Sequence, residues 1–230
     1  MPPAVIFDMD GVLVDSYRAH FESWETLAAE HGIAFPEDHF ARTFGRTSRD
    51  IIRMTWGGRA IGDAEIQELD ARKERLYRAI IARDFPAMDG ATELVSALRT
   101  DGFRLAVGSS GPPENVDLVL EHLGGRRLFD AVITGMDVER GKPDPQVFLL
   151  AANRAGVEPR ASVVVEDAPP GIEAASRAGM ASVALLSTGR IREEFGSVRP
   201  DLIVQSLREL TPARLRMLIE QHGAPAVQER

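Results

Sequence analysis

The chain has 230 residues, 44% hydrophobic and 27% charged, a length and balance that suit one large domain or a domain with an insert and exclude disorder as the main state. Its 27 Lys and Arg against 35 Asp and Glu leave a formal charge of -8. That charge repels nucleic-acid backbones and anionic lipid surfaces but leaves small phosphorylated metabolites open as ligands. The absence of cysteine removes disulfides, thiolate nucleophiles and Cys-ligated metal sites. No apolar run approaches the length that spans a bilayer, and acids interrupt the opening MPPAVIFDMD where a signal peptide needs an unbroken apolar stretch. The expectation is a cytoplasmic protein with no nucleic-acid or membrane partner, monomeric or at most weakly dimeric.

The first predicted element is a strand over Ala4 to Phe7, apolar without polar alternation, as in strands buried on both faces. About seventy residues follow before the next strand, more than an ordinary crossover contains. Within them Tyr17 to Glu30, Glu37 to Thr43, Thr47 to Trp56 and Asp63 to Arg83 carry apolar residues at helical spacing, with Gly and Pro between. This predicts an inserted α-helical domain over 16–83, joined near Asp15-Ser16 and Asp84-Phe85-Pro86; a helical flank packed rigidly on the sheet is the alternative. Further along, strands over Arg104 to Val107, Ala131 to Ile133, Ser162 to Val165 and Ser182 to Leu186 alternate with helices. Those helices run over Ala91 to Thr100, Pro113 to Leu123, Pro145 to Ala155 and Gly171 to Ala178. The alternation predicts an α/β fold, a doubly wound parallel sheet built from 1–15 and 84–230 with helices on both faces.

In such a sheet ligands bind beyond the carboxyl ends of the strands, so the residues after each apolar run matter most. Asp8, Asp10 and Gly11 follow the first run, Ser109 and Ser110 the second, Lys142 the third, Glu166 and Asp167 the fourth. Two carboxylates on the tight FDMDG turn repel each other unless a cation or proton separates them. Magnesium suits that place, since it takes oxygen ligands and is content with one or two carboxylates plus a substrate phosphate, and Asp167 beside Glu166 is the natural further contributor. Taken singly, each element is more often something plainer: a D-x-D a solvated turn with Asx hydrogen bonds, Gly-Ser-Ser-Gly a simple turn, a loop lysine a solvated cation. Together they favour a phosphate and metal site. Gly141-Lys142 is not a Walker A motif, because Met136 stands at the earlier glycine position and Pro143 replaces Ser or Thr. Gly108 to Gly111 is not a nucleophile elbow, because Pro112 occupies the second glycine position.

DMDGVLVDS, Ser109, Lys142 in GKPDP, and Glu166-Asp167 followed by Pro169-Pro170-Gly171-Ile172 resemble, in order and spacing, the four motifs of the haloacid dehalogenase (HAD) superfamily. The helical insert is similar to the cap of the subgroup containing β-phosphoglucomutases and sugar-phosphate phosphatases. The resemblance implies that Asp8 is a nucleophile forming an aspartyl phosphate and Asp10 a general acid and base. It implies that Ser109 and Lys142 neutralise the phosphoryl oxygens. It also implies a Mg2+ ion held by the Asp8 and Asp167 side chains and the carbonyl of residue 10, with Glu166 assisting. Gly11, Ser110 and Asn115 are further candidates for substrate binding. In the insert the candidates are Ser16, His20, Trp24, the segment Gly45-Arg46-Thr47-Ser48-Arg49, and Lys73; Trp24 could equally be core, and Arg49 or Lys73 solvated charge. Asp10 argues against dehalogenation. Hydrolysis of a small phosphorylated metabolite is favoured over a sugar phosphomutase, because Gly111-Pro112-Pro113-Glu114-Asn115 lacks the basic and amide pair that such mutases place after the second motif, where only Asn115 could stand in; a non-catalytic phosphate-binding module is disfavoured by the intact Asp8, Asp10, Lys142 and Asp167.

Overall fold

The first strand forms as β1 (Ala4–Phe7), and all four side chains are fully buried, which accounts for the absence of polar residues in it. The computed structural model describes residues 2–43, 47–57 and 61–223. The chain divides into two compact units, one of 1–15 with 87–230 and the other of 16–86.

The second unit is helical: α1 (Tyr17–Glu30), α2 (Glu37–Thr43), α3 (Ser48–Thr55) and α4 (Asp63–Arg83). Its interior gathers Phe21, Trp24, Leu27, Phe35, Phe40, Ile52, Ile66 and Leu69, the apolar stripes that gave these segments their helical periodicity. Phe40 is its aromatic hub, with ring centroids 5.0 Å from Tyr17 and 5.7 Å from Phe21. The helix read over Thr47 to Trp56 loses a residue at each end, because both are caps. Thr47 is extended and its hydroxyl accepts the Asp50 N–H at 3.2 Å, while Trp56 N–H closes on Ile52 O.

The first unit continues from β1 with α5 (Ala91–Thr100), β2 (Arg104–Gly108), α6 (Pro113–His122), β3 (Ala131–Ile133), α7 (Gln146–Ala155), β4 (Ser162–Glu166), α8 (Pro169–Arg177), β5 (Ala181–Leu185), β6 (Leu202–Val204) and α9 (Pro212–Gly223). The six strands are parallel in the order β3-β2-β1-β4-β5-β6. Ala4, Ile6, Ala106, Ile133 and Val164 pack beneath α7 and α8 through Val147, Phe148, Ala151, Ala174 and Ala175. The alternate residues Val5, Phe7, Leu105 and Val107 are equally buried, and α5 lies against β2 while α9 lies against β4 and β5. The sheet is thus doubly wound, as its sequence alternation implies. No helix among the described residues is long and apolar enough to cross a membrane.

The register decides where the chemistry falls. Phe7 pairs with Val107 on one side and Val165 on the other. Asp8, Ser109 and the Glu166-Asp167 pair therefore leave one edge of the sheet at nearly the same level.

Two elements lay outside the sequence reading. Strand β6 is three residues long and its first two are only half-buried, too short a signal to separate from a turn. Helix α9 buries only Leu215 and Ile219 fully, and its polar composition hides the stripe. Helix α8 also starts earlier than Gly171, at Pro169, since proline is favoured at a first helical position.

Candidate active site

After β1 the chain turns sharply. The N–H groups of Val12, Leu13 and Val14 all converge on Met9 O, Gly11 N–H donates to Val14 O at 2.9 Å, and Gly11 takes a left-handed φ of 74°. A Cβ at Gly11 would sit 2.3 Å from Asp167 Oδ2, so only glycine allows this turn to lie against that carboxylate. Asp8 is held at the strand tip by its N–H, which donates to Val165 O at 2.9 Å. Asp10 lies two residues beyond, partly exposed; a Cβ built on Gly111 would stand 4.0 Å from Asp10 Oδ2 and 3.2 Å from Ser109 Oγ. The β1 and β2 loops are therefore neighbours. Ser109 is buried, and its Oγ accepts the Gly111 N–H at 2.9 Å, whereas Ser110 is exposed.

Lys142 closes the group from the loop after β3. Its ammonium donates to Asp8 Oδ1 at 2.6 Å and to Glu166 Oε1 at 2.7 Å, and sits 4.9 Å from the Phe148 ring centroid. The loop is braced: Gln146 Oε1 accepts the N–H groups of Glu139 and Arg140 at 3.0 Å each, and Asp144 Oδ1 accepts the Gln146 N–H at 3.0 Å. The Lys142-Pro143 bond is cis. Glu166 is oriented by the Ala168 N–H, which donates to Oε2 at 2.6 Å. A Cβ at Gly171 would fall 1.8 Å from Glu166 Oε1, so that glycine makes room for the carboxylate.

Electrostatically the cluster is short of positive charge. Burial pushes the Asp8 carboxyl up and Lys142 pulls it down; with Glu166 and Asp10 adding to the rise, it reaches about 7. Asp167 is also raised well above the carboxylate range, first by burial and then by the charges of Glu166 and Asp8, against the Thr188 hydroxyl and Arg190. Burial lowers Lys142, but Asp8 and Glu166 outweigh it and hold the ammonium above its ordinary value. Asp8, Glu166 and Asp167 are all buried and each presents an oxygen within 4.8 Å of the others. Three hard oxygen donors with excess negative charge fit a divalent cation of the magnesium or calcium type.

The remaining candidates are distributed as follows. Gly11 lies against Asp167 as described. Asn115 is 1% exposed in the first turn of α6. In the helical unit Ser16 is fully buried just before α1 and its Oγ meets no hydrogen-bond partner among the described residues. Trp24 belongs to the apolar interior, 2% exposed. Lys73 is buried, donates to His20 Nδ1 at 2.9 Å and to Glu74 Oε1 at 2.8 Å, and lies 5.4 Å from the ring centroids of both Trp24 and Tyr77. An ammonium offers only donors, so His20 Nδ1 is the acceptor and any ring proton sits on Nε2. Thr47 caps α3, Ser48 hydrogen-bonds Asp70, and Arg49 is exposed and ion-paired with Asp63 at 2.9 Å. Gly45 and Arg46 lie outside the described residues.

Sequence reasoning missed Ser187 and Thr188. They follow the fifth apolar run, at the same edge that drew attention to the other strand ends. There Ser187 Oγ donates to Gly11 O and Thr188 Oγ1 donates to Asp167 Oδ2 at 2.9 Å. Reading the residues after Ser182 to Leu186 as the others were read would have found them.

This constellation, on a doubly wound parallel sheet with a helical insert after its first strand, defines a phosphate-handling HAD-type hydrolase. Residues 2–179 match the model of the haloacid dehalogenase-like hydrolase family, and the chain belongs to that family. It is 35% identical, over 91% of its length and 96% of the relative's, to validoxylamine A 7'-phosphate phosphatase of Streptomyces hygroscopicus subsp. limoneus. It is 32% identical to β-phosphoglucomutase of Bacillus subtilis, over 95% of this chain and 96% of that one. Among solved structures it resembles a HAD hydrolase of family IA, variant 3, from Entamoeba histolytica, with a TM-score of 0.86, 28% identity, and coverage of 96% of this chain and all of that one.

Proposed function

We propose that this chain is a magnesium-dependent phosphatase that hydrolyses a small phosphorylated metabolite, a sugar phosphate or a close relative, through an aspartyl phosphate on Asp8. The observation that carries the reading is the bridge from Lys142 to both Asp8 and Glu166, with Asp167 completing the acidic group. Asp8 attacks phosphorus, a P–O bond forms to its carboxylate, and the bond to the leaving oxygen breaks as Asp10 supplies that oxygen with a proton. Asp10 then takes a proton from water as the water attacks the acyl phosphate; the P–O bond to Asp8 breaks and inorganic phosphate leaves. Lys142 and Ser109 stabilise charge on the non-bridging oxygens. Asp8, Asp167 and the carbonyl of residue 10, with Glu166 assisting, would hold Mg2+, which when bound supplies the positive charge this cluster lacks.

The names of the phosphatase relatives support a sugar-like phosphate as substrate. In this reading the helical unit contributes to substrate choice through exposed polar residues, Arg49 among them. A phosphomutase is the second reading, favoured by the β-phosphoglucomutase relative. Against it, Asn115, the one residue after Ser109 that could replace a sugar-gripping pair, is buried.

A panel of sugar phosphates assayed with magnesium for both free phosphate and positional isomers tests the choice. Phosphate release supports hydrolysis, whereas rapid conversion of β-glucose 1-phosphate to glucose 6-phosphate, primed by a trace of bisphosphate, replaces it with the mutase. Asp8→Asn should cut turnover by roughly 10⁴-fold or more while leaving the circular dichroism spectrum unchanged. Near-wild-type turnover in that variant would sink the covalent route.

A further inference from the structure

We infer that Thr188 is a positioning residue for Asp167, fixing the orientation in which that carboxylate meets the metal ion; this rests on the magnesium reading above. Among the described residues only Thr188 and Arg199 have a positive φ without being glycine. At 53° Thr188 is in the left-handed region, where a β-branched side chain is crowded and which persists only when its surroundings hold it there. Such backbone strain is concentrated at functional sites.

What the conformation achieves is visible in its bonds. Arg190 N–H donates to Ser187 O at 2.9 Å, closing a tight turn directly after β5, and Ser187 Oγ donates to Gly11 O. The turn is thereby tied to the loop that carries Asp8 and Asp10. From it the Thr188 hydroxyl donates to Asp167 Oδ2 at 2.9 Å. The same Oδ2 also faces Gly11, where not even a methyl group fits. The carboxylate thus has a backbone it cannot approach more closely and a hydroxyl it cannot leave without losing a bond, and Oδ1 is left out of that bond. Residues that orient a metal-binding carboxylate in this manner typically change metal affinity by ~10- to 100-fold when removed.

The test uses Mn2+ as the probe, with free ion followed by electron paramagnetic resonance, beside the Mg2+ dependence of phosphate release. Thr188→Val removes the hydroxyl and keeps the shape. Thr188→Gly removes the hydroxyl and relieves the backbone, since glycine adopts this φ freely, and it stands in for the valine variant should that fail to fold. Thr188→Ser restores the donor. Both deletions should raise the Mn2+ dissociation constant and the half-saturating Mg2+ by ~10-fold, the serine variant should return to within about twofold of wild type, and Thr188→Gly should melt no lower than wild type. Wild-type affinity in Thr188→Val and Thr188→Gly, with Mn2+ bound normally by the unaltered protein, overturns the role of Thr188 alone. No more Mn2+ uptake by the unaltered protein than by Asp167→Asn overturns the metal reading with it.

Discussion

Each unit contains a buried lysine, and the two solve opposite problems. Lys142, with 11% of its side chain exposed, faces two carboxylates and leaves a third, Asp167, with no ammonium of its own. Lys73, with 4% exposed, is satisfied inside its own unit by one carboxylate, a neutral-type ring nitrogen and two aromatic faces. The first cluster gathers more carboxylates than cations, which raises the affinity of Asp8 and Asp167 for a proton or a metal ion. The second balances locally and contributes to holding its helices together. Charge imbalance, more than burial, separates the candidate site from the lysine built into a core.

Substitutions at the two positions can break that distinction. Lys142→Met should lower kcat by ~10²- to 10³-fold, the scale of losing a preorganised charge at the reacting centre, measured as phosphate release at saturating magnesium. Lys73→Met should act first on stability, by roughly 1–3 kcal/mol, because it removes a buried donor from both Glu74 and His20. Chemical denaturation followed by far-ultraviolet circular dichroism measures it. If Lys73→Met matches Lys142→Met in kcat without loss of stability, the contrast between the two lysines is wrong.

The smallest effect sharpens the contrast from the surface. Asp137 is held below the usual carboxylate range because the Thr134 N–H donates to it at 2.9 Å, with the Thr134 hydroxyl at 2.8 Å and Arg154 at 2.9 Å adding to this and slight burial opposing it. Asp8 and Asp167 shift the other way. A depressed value in the folded state means stability that is fully present above the unfolded carboxyl's pKa and is lost as pH falls through the folded one. Asp137→Ala should therefore destabilise by about 1 kcal/mol at pH 7, and the difference from wild type should shrink as pH drops below about 4. A difference constant from pH 7 down to pH 3 would show that Asp137 acts through packing instead.

The strands were readable where burial on both faces left an unbroken apolar run, as in Ala4–Phe7 and the Val163–Val165 centre of β4, and became unreadable where the run was short and half-buried, as in Leu202–Val204. Helix boundaries were set by caps and prolines, which is why Thr47 and Trp56 fell just outside α3. The residues Asp8, Ser109, Glu166 and Asp167 could be picked out because they close apolar runs, and Lys142 because it stands in the loop after the third. Thr188 was passed over, although it follows one too, since nothing in Leu-Ser-Thr-Gly signals a left-handed threonine.

Composition, periodicity and the placing of polar residues after apolar runs are local properties, and they specified the parallel sheet, the helical insert and the residues that follow the first four strands. Which of those residues share a carboxylate, how far burial shifts them, and that Gly11 and Thr188 enclose Asp167 depend on the alignment of β1 with β4 and β5 across more than a hundred residues of chain. Such contacts are set by register and packing in three dimensions, since partners such as Asp8 and Lys142 lie 134 residues apart in the chain.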